Sequence, residues 1–291
     1  MTKHCLICHT REVFAFTKHS YRLYRCPSCH LLRTQLRESP QHLLRTYYSA
    51  EYFTGRPSRA GYADYIDDET VIRRNAQMFL KLIACHLHRF PGRRLLDIGC
   101  ATGTFMRQAQ SQGFRVAGVD VSDFAISQAR KNFPRQIHHG TLATAKFRPG
   151  SFDLITLLDV FEHLPHPIQE LARCRRLLKP SGLLVINTGD TDSFMAKLEG
   201  QRWHYFIPPQ HLFFYSKNNL QQLLHQNGFK VLAAYITGKH ISLRYLWHLM
   251  RTINHSQLAD WFYRHFHATQ FGKLSFYLNL RDNMTIIAKK K

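Results

Sequence analysis

The stretch Leu95-Leu96-Asp97-Ile98-Gly99-Cys100-Ala101-Thr102-Gly103-Thr104-Phe105 sets an acid in an apolar run that then breaks into a glycine-bounded loop. It reads as a buried strand turning into a helix. Gly99 and Gly103 permit torsions that a side chain would forbid, and they let a ligand lie against bare peptide. Seventeen residues beyond Gly103, a second apolar strand, Phe114 to Val119, ends in Asp120. An acid there is placed to accept both hydroxyls of a ribose. A third strand, Phe152 to Leu158, ends in Asp159-Val160-Phe161-Glu162-His163. Strand ends of open α/β sheets are where ligands and perturbed ionisable groups collect. Asp159 is placed to orient a cofactor or substrate and His163 to act as a base near neutral pH, while Glu162 and His163 could equally brace the following helix. Further on, Trp203-His204-Tyr205-Phe206-Ile207-Pro208-Pro209-Gln210-His211-Leu212-Phe213-Phe214-Tyr215-Ser216 interleaves aromatic rings with histidines and rigid prolines. Ring faces of this kind stack on a sugar or flat ring while a histidine such as His211 takes a proton.

The spacing chooses between nucleotide ligands. A dinucleotide fingerprint runs Gly-x-Gly-x-x-Gly directly after its strand, whereas this loop runs Asp-x-Gly-x-Ala-x-Gly. An acid so close repels a pyrophosphate and suits a ligand carrying an amino group and a sulfonium, as S-adenosylmethionine does.

A different chemistry stands at the N-terminus. Cys5-Leu6-Ile7-Cys8 and Cys26-Pro27-Ser28-Cys29 are separated by seventeen residues, the two-knuckle spacing of a structural zinc ribbon in which four thiolates close a tetrahedron. Val13 to Phe16 and Tyr21 to Tyr24 can pair as the intervening hairpin, and metal binding would supply the folding energy so small a module lacks. A redox dithiol pair is the competing reading. His4, His9 and His30 lie beside the knuckles and could each replace a thiolate, although Cys5, Cys8, Cys26 and Cys29 make the simpler set.

Four blocks in order, LLDIGCATGTF (95 to 105), VAGVDVSD (116 to 123), FDLITLLDVFEHLPHP (152 to 167) and LLKPSGLLVINT (177 to 188), resemble the class I S-adenosylmethionine-dependent methyltransferases. The likeness covers roughly residues 90 to 240 and looks closest to the methyltransferase domain 23 type, in the subgroup where a cysteine-rich ribbon precedes the domain and which includes sugar methyltransferases. The resemblance implies an α/β, Rossmann-like seven-stranded sheet, mostly parallel with an antiparallel last strand and helices on both faces. It implies S-adenosylmethionine held by Asp97, Gly99, Ala101, Gly103, Asp120, Val121, Leu142 and Asp159, with structural Zn2+ on the four cysteines. Gly140-Thr141-Leu142 stands where relatives carry an acid for the adenine amine, so the Leu142 amide and Thr141 hydroxyl are expected to serve. In the family the segment before the first core helix often closes over the cofactor, which makes Tyr62 and Tyr65 candidate lid residues; packing of the ribbon against the core is the other reading. Ala101 departs from the usual glycine and crowds the cofactor slightly. Sugar C-methyltransferases carry Tyr-x-Glu-His where this chain has Pro208-Pro209-Gln210-His211. His211 survives that comparison, and O-methylation becomes at least as consistent as C-methylation.

These residues must be positioned by a regular framework. The amphipathic pattern from Asp68 to His88 predicts a helix with Val71, Ile72, Met78, Phe79, Leu82 and Ile83 inward. Helices are expected over 104–111, over 123–131 behind an N-cap at Ser122, over 168–178, and from Ser216 through Gln226. A weaker strand signal lies at 136–139 and a further strand at 183–187, with 229–237 and 283–288 as the antiparallel edge pair. The expected divisions are a ribbon over 1–40, linker, lid and first helix over 41–92, and the methyltransferase domain over 93–291, with substrate-facing inserts at 189–216 and 239–280. The second insert is aromatic and basic. Its amphipathic character suits packing, a membrane surface or a partner helix.

With 291 residues the chain can bury a full core. Its net charge of +21 comes from forty basic and nineteen acidic residues. That balance favours polyanions such as nucleic acid, an anionic membrane or a diphosphate-linked or acidic glycan, or else is a solvated surface, since the charge is spread without a polybasic block. No run has the length of a membrane span, and the N-terminus lacks the apolar region of a signal peptide, so a cytoplasmic location is expected. The expected function is in-line methyl transfer to a small molecule, a sugar or a nucleotide-linked or lipid-linked glycan precursor, with His211 or His163 as base. RNA or protein methylation with the ribbon as docking platform is the first alternative, and a non-catalytic assembly module the second.

Overall fold

The computed structural model of the chain describes residues 4–48, 50–54, 65, 67–87, 91–252 and 256–291. Tyr62 lies outside the described residues. Strands β1 (Val13–Lys18) and β2 (Tyr21–Arg25) form the hairpin expected between the cysteine pairs, and β3 (Leu32–Thr34) adds antiparallel to β2. Short helices α1 (Pro40–Tyr47) and α2 (Ala50–Thr54) follow. Helix α3 (Glu69–Ala84) buries Val71, Phe79 and Ile83 as the stripe required, and adds Ala76 and Leu80. It stops short of His88 because its last turn tightens, with the amides of His86 and Leu87 both donating to the Ile83 carbonyl.

The alternation expected beyond residue 93 then unfolds as β4 (Arg94–Ile98), α4 (Thr104–Ser111), β5 (Arg115–Asp120), α5 (Asp123–Ala129), β6 (Ile137–His139), β7 (Phe152–Leu158), a 3₁₀ turn over Phe161–His163, α6 (Pro167–Leu177) and β8 (Leu178–Gly189). After it come α7 (Phe194–Glu199), β9 (Phe213–Phe214), α8 (Lys217–Gln226), β10 (Phe229–Ile236), β11 (Lys239–Ser242), α9 (Leu243–Thr252), α10 (Gln257–Phe266), α11 (Gln270–Lys273), β12 (Ser275–Leu278) and β13 (Asn283–Lys290). Seven strands make one sheet in the order β10-β13-β8-β7-β4-β5-β6. β4 to β8 pair in parallel, and β13 runs antiparallel to both β8 and β10. The side-chain period of two divides the core: Leu96, Ile155, Leu157, Leu184 and Ile186 pack on one face, and Leu95, Leu154, Leu183, Val185 and Ile287 on the other.

Local signals set several boundaries. The Ser122 hydroxyl accepts from the Ala125 amide at 3.3 Å, and Ser216 forms a reciprocal capping box with Asn219. α5 ends at Ala129, two residues before Lys131. β8 is longer than its apolar stretch because the Lys179–Gly182 turn is kept within it as a bulge, with Ser181 at a φ of 62°. Among the described residues, no helix is long and apolar enough to cross a membrane.

The two inserts behave differently from plain loops. Within 189–216, β9 pairs antiparallel with β3, setting Leu32 against Phe214 and Arg33 against Phe213, so the end of this insert completes the N-terminal sheet. In 239–280, β11 and β12 form a two-stranded ribbon, while α9 and α10 pack through Trp247 stacked on Phe262 at 5.4 Å. Leu258, Trp261 and Leu274 remain exposed there.

Phe214 is 2% exposed and packs edge-on against Phe206, with ring centroids 4.8 Å apart, in a cluster with Phe16, Leu23, Leu32 and Trp203. Phe214→Ala should therefore cost about 3–5 kcal/mol in urea unfolding. A loss below about 1 kcal/mol would mean that this sheet junction contributes little to stability.

Candidate active site

A cavity of about 850 Å³ opens at the carboxyl ends of β4, β5 and β7. The chain order reverses between β4 and β7, which makes this the switch point of the sheet. At the end of β4, Gly99 has a φ of 72°, and a Cβ there would collide with Val160. Ala101 adopts a φ of 46°, a left-handed conformation usually left to glycine. That conformation aims its amide at Asp120, whose Oδ2 accepts it at 2.8 Å. Gly103, with a φ of 80°, starts α4 and lies against Phe133, 3.1 Å from an added Cβ. It serves the turn and does not line the cavity.

Asp120 accepts a second amide, from Ser122, on Oδ1 at 2.9 Å. The Val121 amide also favours the carboxylate, which leaves about one of its roughly four acceptor positions open, and burial raises its pKa. Val121, Gly140, Thr141 and Leu142 line the same end of the cavity.

Asp97 stands beside Thr156 in the parallel register, and its Oδ1 accepts the Thr156 hydroxyl at 2.7 Å. It is 3% exposed, and burial pushes its carboxyl up to about 7, with Asp120 adding repulsion and the Thr156 bond opposing. Asp97 lines a smaller pocket of about 140 Å³ that shares Gly99, Leu158, Asp159 and Lys239 with the main cavity.

At the end of β7, Asp159 has a φ of 56° and both its oxygens accept from Lys239 Nζ, at 2.8 and 2.7 Å. Sequence reasoning missed Lys239, since nothing near it in the chain marks it. Glu162, 1% exposed, accepts the Tyr205 hydroxyl on Oε1 at 2.7 Å, and burial raises its pKa. His163 and His211 come together here, with ring centroids 4.7 Å apart. Nδ1 of His163 bonds the Gln210 carbonyl at 2.8 Å, and Nδ1 of His211 the Tyr205 carbonyl at 2.7 Å. Burial, reinforced by His163, lowers the His211 pKa well below the usual imidazole value, so this ring is neutral at physiological pH. The ribbon reaches the same place: the Thr34 hydroxyl donates to the His211 carbonyl at 2.8 Å, the Thr34 amide to the Leu212 carbonyl at 2.9 Å, and the Leu212 amide to the Glu162 carbonyl at 2.8 Å.

Aromatic residues from the segment before α3 line the cavity. Tyr65 lines the cavity, with its amide bonded to the Phe53 carbonyl at 2.8 Å, and Tyr48 meets the His163 ring edge-on at 5.8 Å. Tyr48 and Tyr52 were not singled out as site residues from sequence, and only their place in an aromatic cluster hinted at them. In a chain of charge +21 the described residues of the cavity wall include six acids, Asp120, Asp159, Glu162, Glu170, Glu199 and Asp282, against two permanent cations, Arg173 and Lys239, and four histidines. The local field is therefore negative and suits a cationic ligand.

The four thiols form a separate cluster. Cys5 and Cys29 sulfurs are 3.5 Å apart, Cys8 and Cys26 sulfurs 3.2 Å, and all four lie within 4.8 Å of one another. Amides of Ile7 and Cys29 point at the Cys5 and Cys26 sulfurs, each at 3.4 Å, as they do toward thiolates. Among the described residues, none of His4, His9 and His30 joins this group.

Because the folded state holds the Asp97 proton up to about pH 7 while the unfolded chain releases it near 4, stability falls as pH rises through that window. Asp97→Asn keeps the Thr156 bond and removes the buried charge. The ligand-free variant should differ little from the wild type in thermal melting at about pH 4 and exceed it by a margin that grows up to pH 8. Equal melting temperatures at pH 8 would show that Asp97 ionises at no cost.

A methyltransferase domain family model matches residues 69–234. The chain is 28% identical over 187 residues to a ubiquinone biosynthesis O-methyltransferase of Dechloromonas aromatica, covering 56% of this chain and 79% of that protein. A protein of the same name from Nitrosococcus oceani is 29% identical over 180 residues, 53% of this chain and 75% of that one. In fold it is similar to the magnesium protoporphyrin IX methyltransferase of Synechocystis with bound S-adenosylhomocysteine, at a TM-score of 0.55 and 13% identity over 86% of this chain and all of that one. The family match spans more than half of the chain, and on that ground the chain belongs to the methyltransferase domain family, the class I S-adenosylmethionine-dependent methyltransferases.

Proposed function

We propose that this chain transfers a methyl group from S-adenosylmethionine to a hydroxyl of a small, ring-bearing acceptor, a sugar or glycan precursor, bound in the main cavity. The observation that carries the reading is the acidic cavity wall inside a strongly basic chain. The donor residues fit the group: Asp120 keeps an acceptor position open for a ribose hydroxyl, Asp97 and the shared pocket offer a carboxylate to an ammonium, and Leu142 with Thr141 lies where the adenine would be held. When bound, S-adenosylmethionine supplies a methyl on a sulfonium, a good leaving group, so the protein's task is alignment and exclusion of water.

Tyr48, Tyr52 and Tyr205, with Leu246, Leu249 and Met250, also line the cavity, and we assign them to its acceptor half. Such rings cover a flat or cyclic acceptor. The hydroxyl proton passes to Nε2 of His211, the nitrogen left with its lone pair by the Nδ1 bond to Tyr205, with His163 beside it as the alternative acceptor. The O-methyltransferase activity in the relatives' names supports oxygen over carbon as the atom modified. We propose in addition that Cys5, Cys8, Cys26 and Cys29 hold a structural Zn2+, a reading supported by their mutual approach and by the amides aimed at sulfur.

A methyl-transfer screen against sugar nucleotides and phenols, with calorimetric titration of S-adenosylmethionine, tests this function. His211→Asn should lower turnover by about 10²–10⁴-fold while leaving cofactor affinity near that of the wild type. Unchanged turnover removes His211 from the chemistry, and absence of cofactor binding by the folded chain removes the function.

A further inference from the structure

Glu162, His163 and His211 are more than neighbours. A carboxylate oxygen of Glu162 and one ring nitrogen of each histidine lie within 4.8 Å of one another. Both rings are already oriented, because a carbonyl oxygen only accepts and Nδ1 must carry the proton in each. The lone pair is thereby left on Nε2, the state in which a backbone-anchored imidazole ligates metal. Glu162 supplies an independent sign: its Oε1 accepts from Tyr205, while its Oε2 is buried with no hydrogen-bond partner. A carboxylate oxygen held out of water without a donor is unfavourable unless a proton or a cation sits on it. Lys239, the nearby ammonium, is engaged by both oxygens of Asp159.

We propose that Glu162, His163 and His211 bind a divalent first-row transition-metal cation in the acceptor half of the cavity. Two imidazoles and one carboxylate suit Mn2+, Fe2+, Co2+ or Zn2+ better than Ca2+ or Mg2+. Three protein ligands leave coordination positions open toward the cavity, as catalytic metal sites do and structural ones do not. Ligand atoms around one ion stand about 3–3.5 Å apart, so rotations that draw the three groups together by at most about 1.5 Å complete the site. The role of the cation rests on the function proposed above: an acceptor hydroxyl in an open position is made more acidic and gives its proton to water. Without the cation, His211 remains the proton acceptor.

The test is a titration of the full-length chain, its four-cysteine cluster loaded with zinc, with Mn2+, following loss of the free-ion electron paramagnetic resonance signal. The expected result is one Mn2+ per chain, with affinity at least about tenfold weaker in both Glu162→Gln and His163→Asn. Retained S-adenosylmethionine affinity in these variants shows that they are folded. No Mn2+ bound by the wild type, or binding unchanged in both variants, overturns the proposal. Cofactor binding and methyl transfer by a wild type that takes no Mn2+ overturns the cation site and leaves the proposed function standing. Mn2+ binding lost in the variants of a chain that fails to take the cofactor supports the site and overturns the function instead.

Discussion

Four carboxyl groups gathered at one edge of a parallel sheet, two of them buried, are the constraint around which this structure is arranged. Asp97, Asp120, Asp159 and Glu162 all lie at or near the carboxyl ends of β4, β5 and β7, and each is restrained differently. Asp97 has a hydroxyl, Asp120 has backbone amides, Asp159 has an ammonium, and Glu162 has a phenol on one oxygen only. Only Asp159 faces a full opposing charge. Desolvating anions without counter-charges is unfavourable, so the fold holds a region of negative potential in reserve for a ligand of opposite sign. The left-handed conformations of Gly99, Ala101 and Asp159 fall at these strand ends, and that of Ala101 brings its amide to Asp120.

Much of this was legible in the sequence because its signals are local. Strands β4, β5, β7 and β8 are covered on both faces and therefore read as unbroken apolar runs. The acids that end them, and the serines that cap α5 and α8, are visible within a few residues of the element they terminate. Cysteine spacing gave the N-terminal cluster for the same reason. The boundaries of α3 and α5, by contrast, depended on how a last turn tightens, which side-chain periodicity does not record.

Features that depend on distant partners were invisible. Lys239 is eighty residues from Asp159 in the chain and follows a strand of ordinary composition. The pairing of Phe213–Phe214 with Leu32–Arg33 joins segments whose separation leaves no periodic trace, and two residues are too few to announce a strand. Gly103 shows the converse, a glycine whose motif position suggested ligand contact but whose neighbourhood is filled by Phe133. Backbone torsion and close approach both select glycine, and sequence alone does not separate them.

Through β9 and Thr34, the N-terminal module shares hydrogen bonds with the backbone that carries His211 and, one step further, Glu162. The two parts thus share a four-stranded sheet, closed by β9, and a bonding network, although their sequences look like separate cassettes. Exchanging either part alone would sever this strand pair. A change at Thr34 in β3 is therefore felt directly at the backbone of His211.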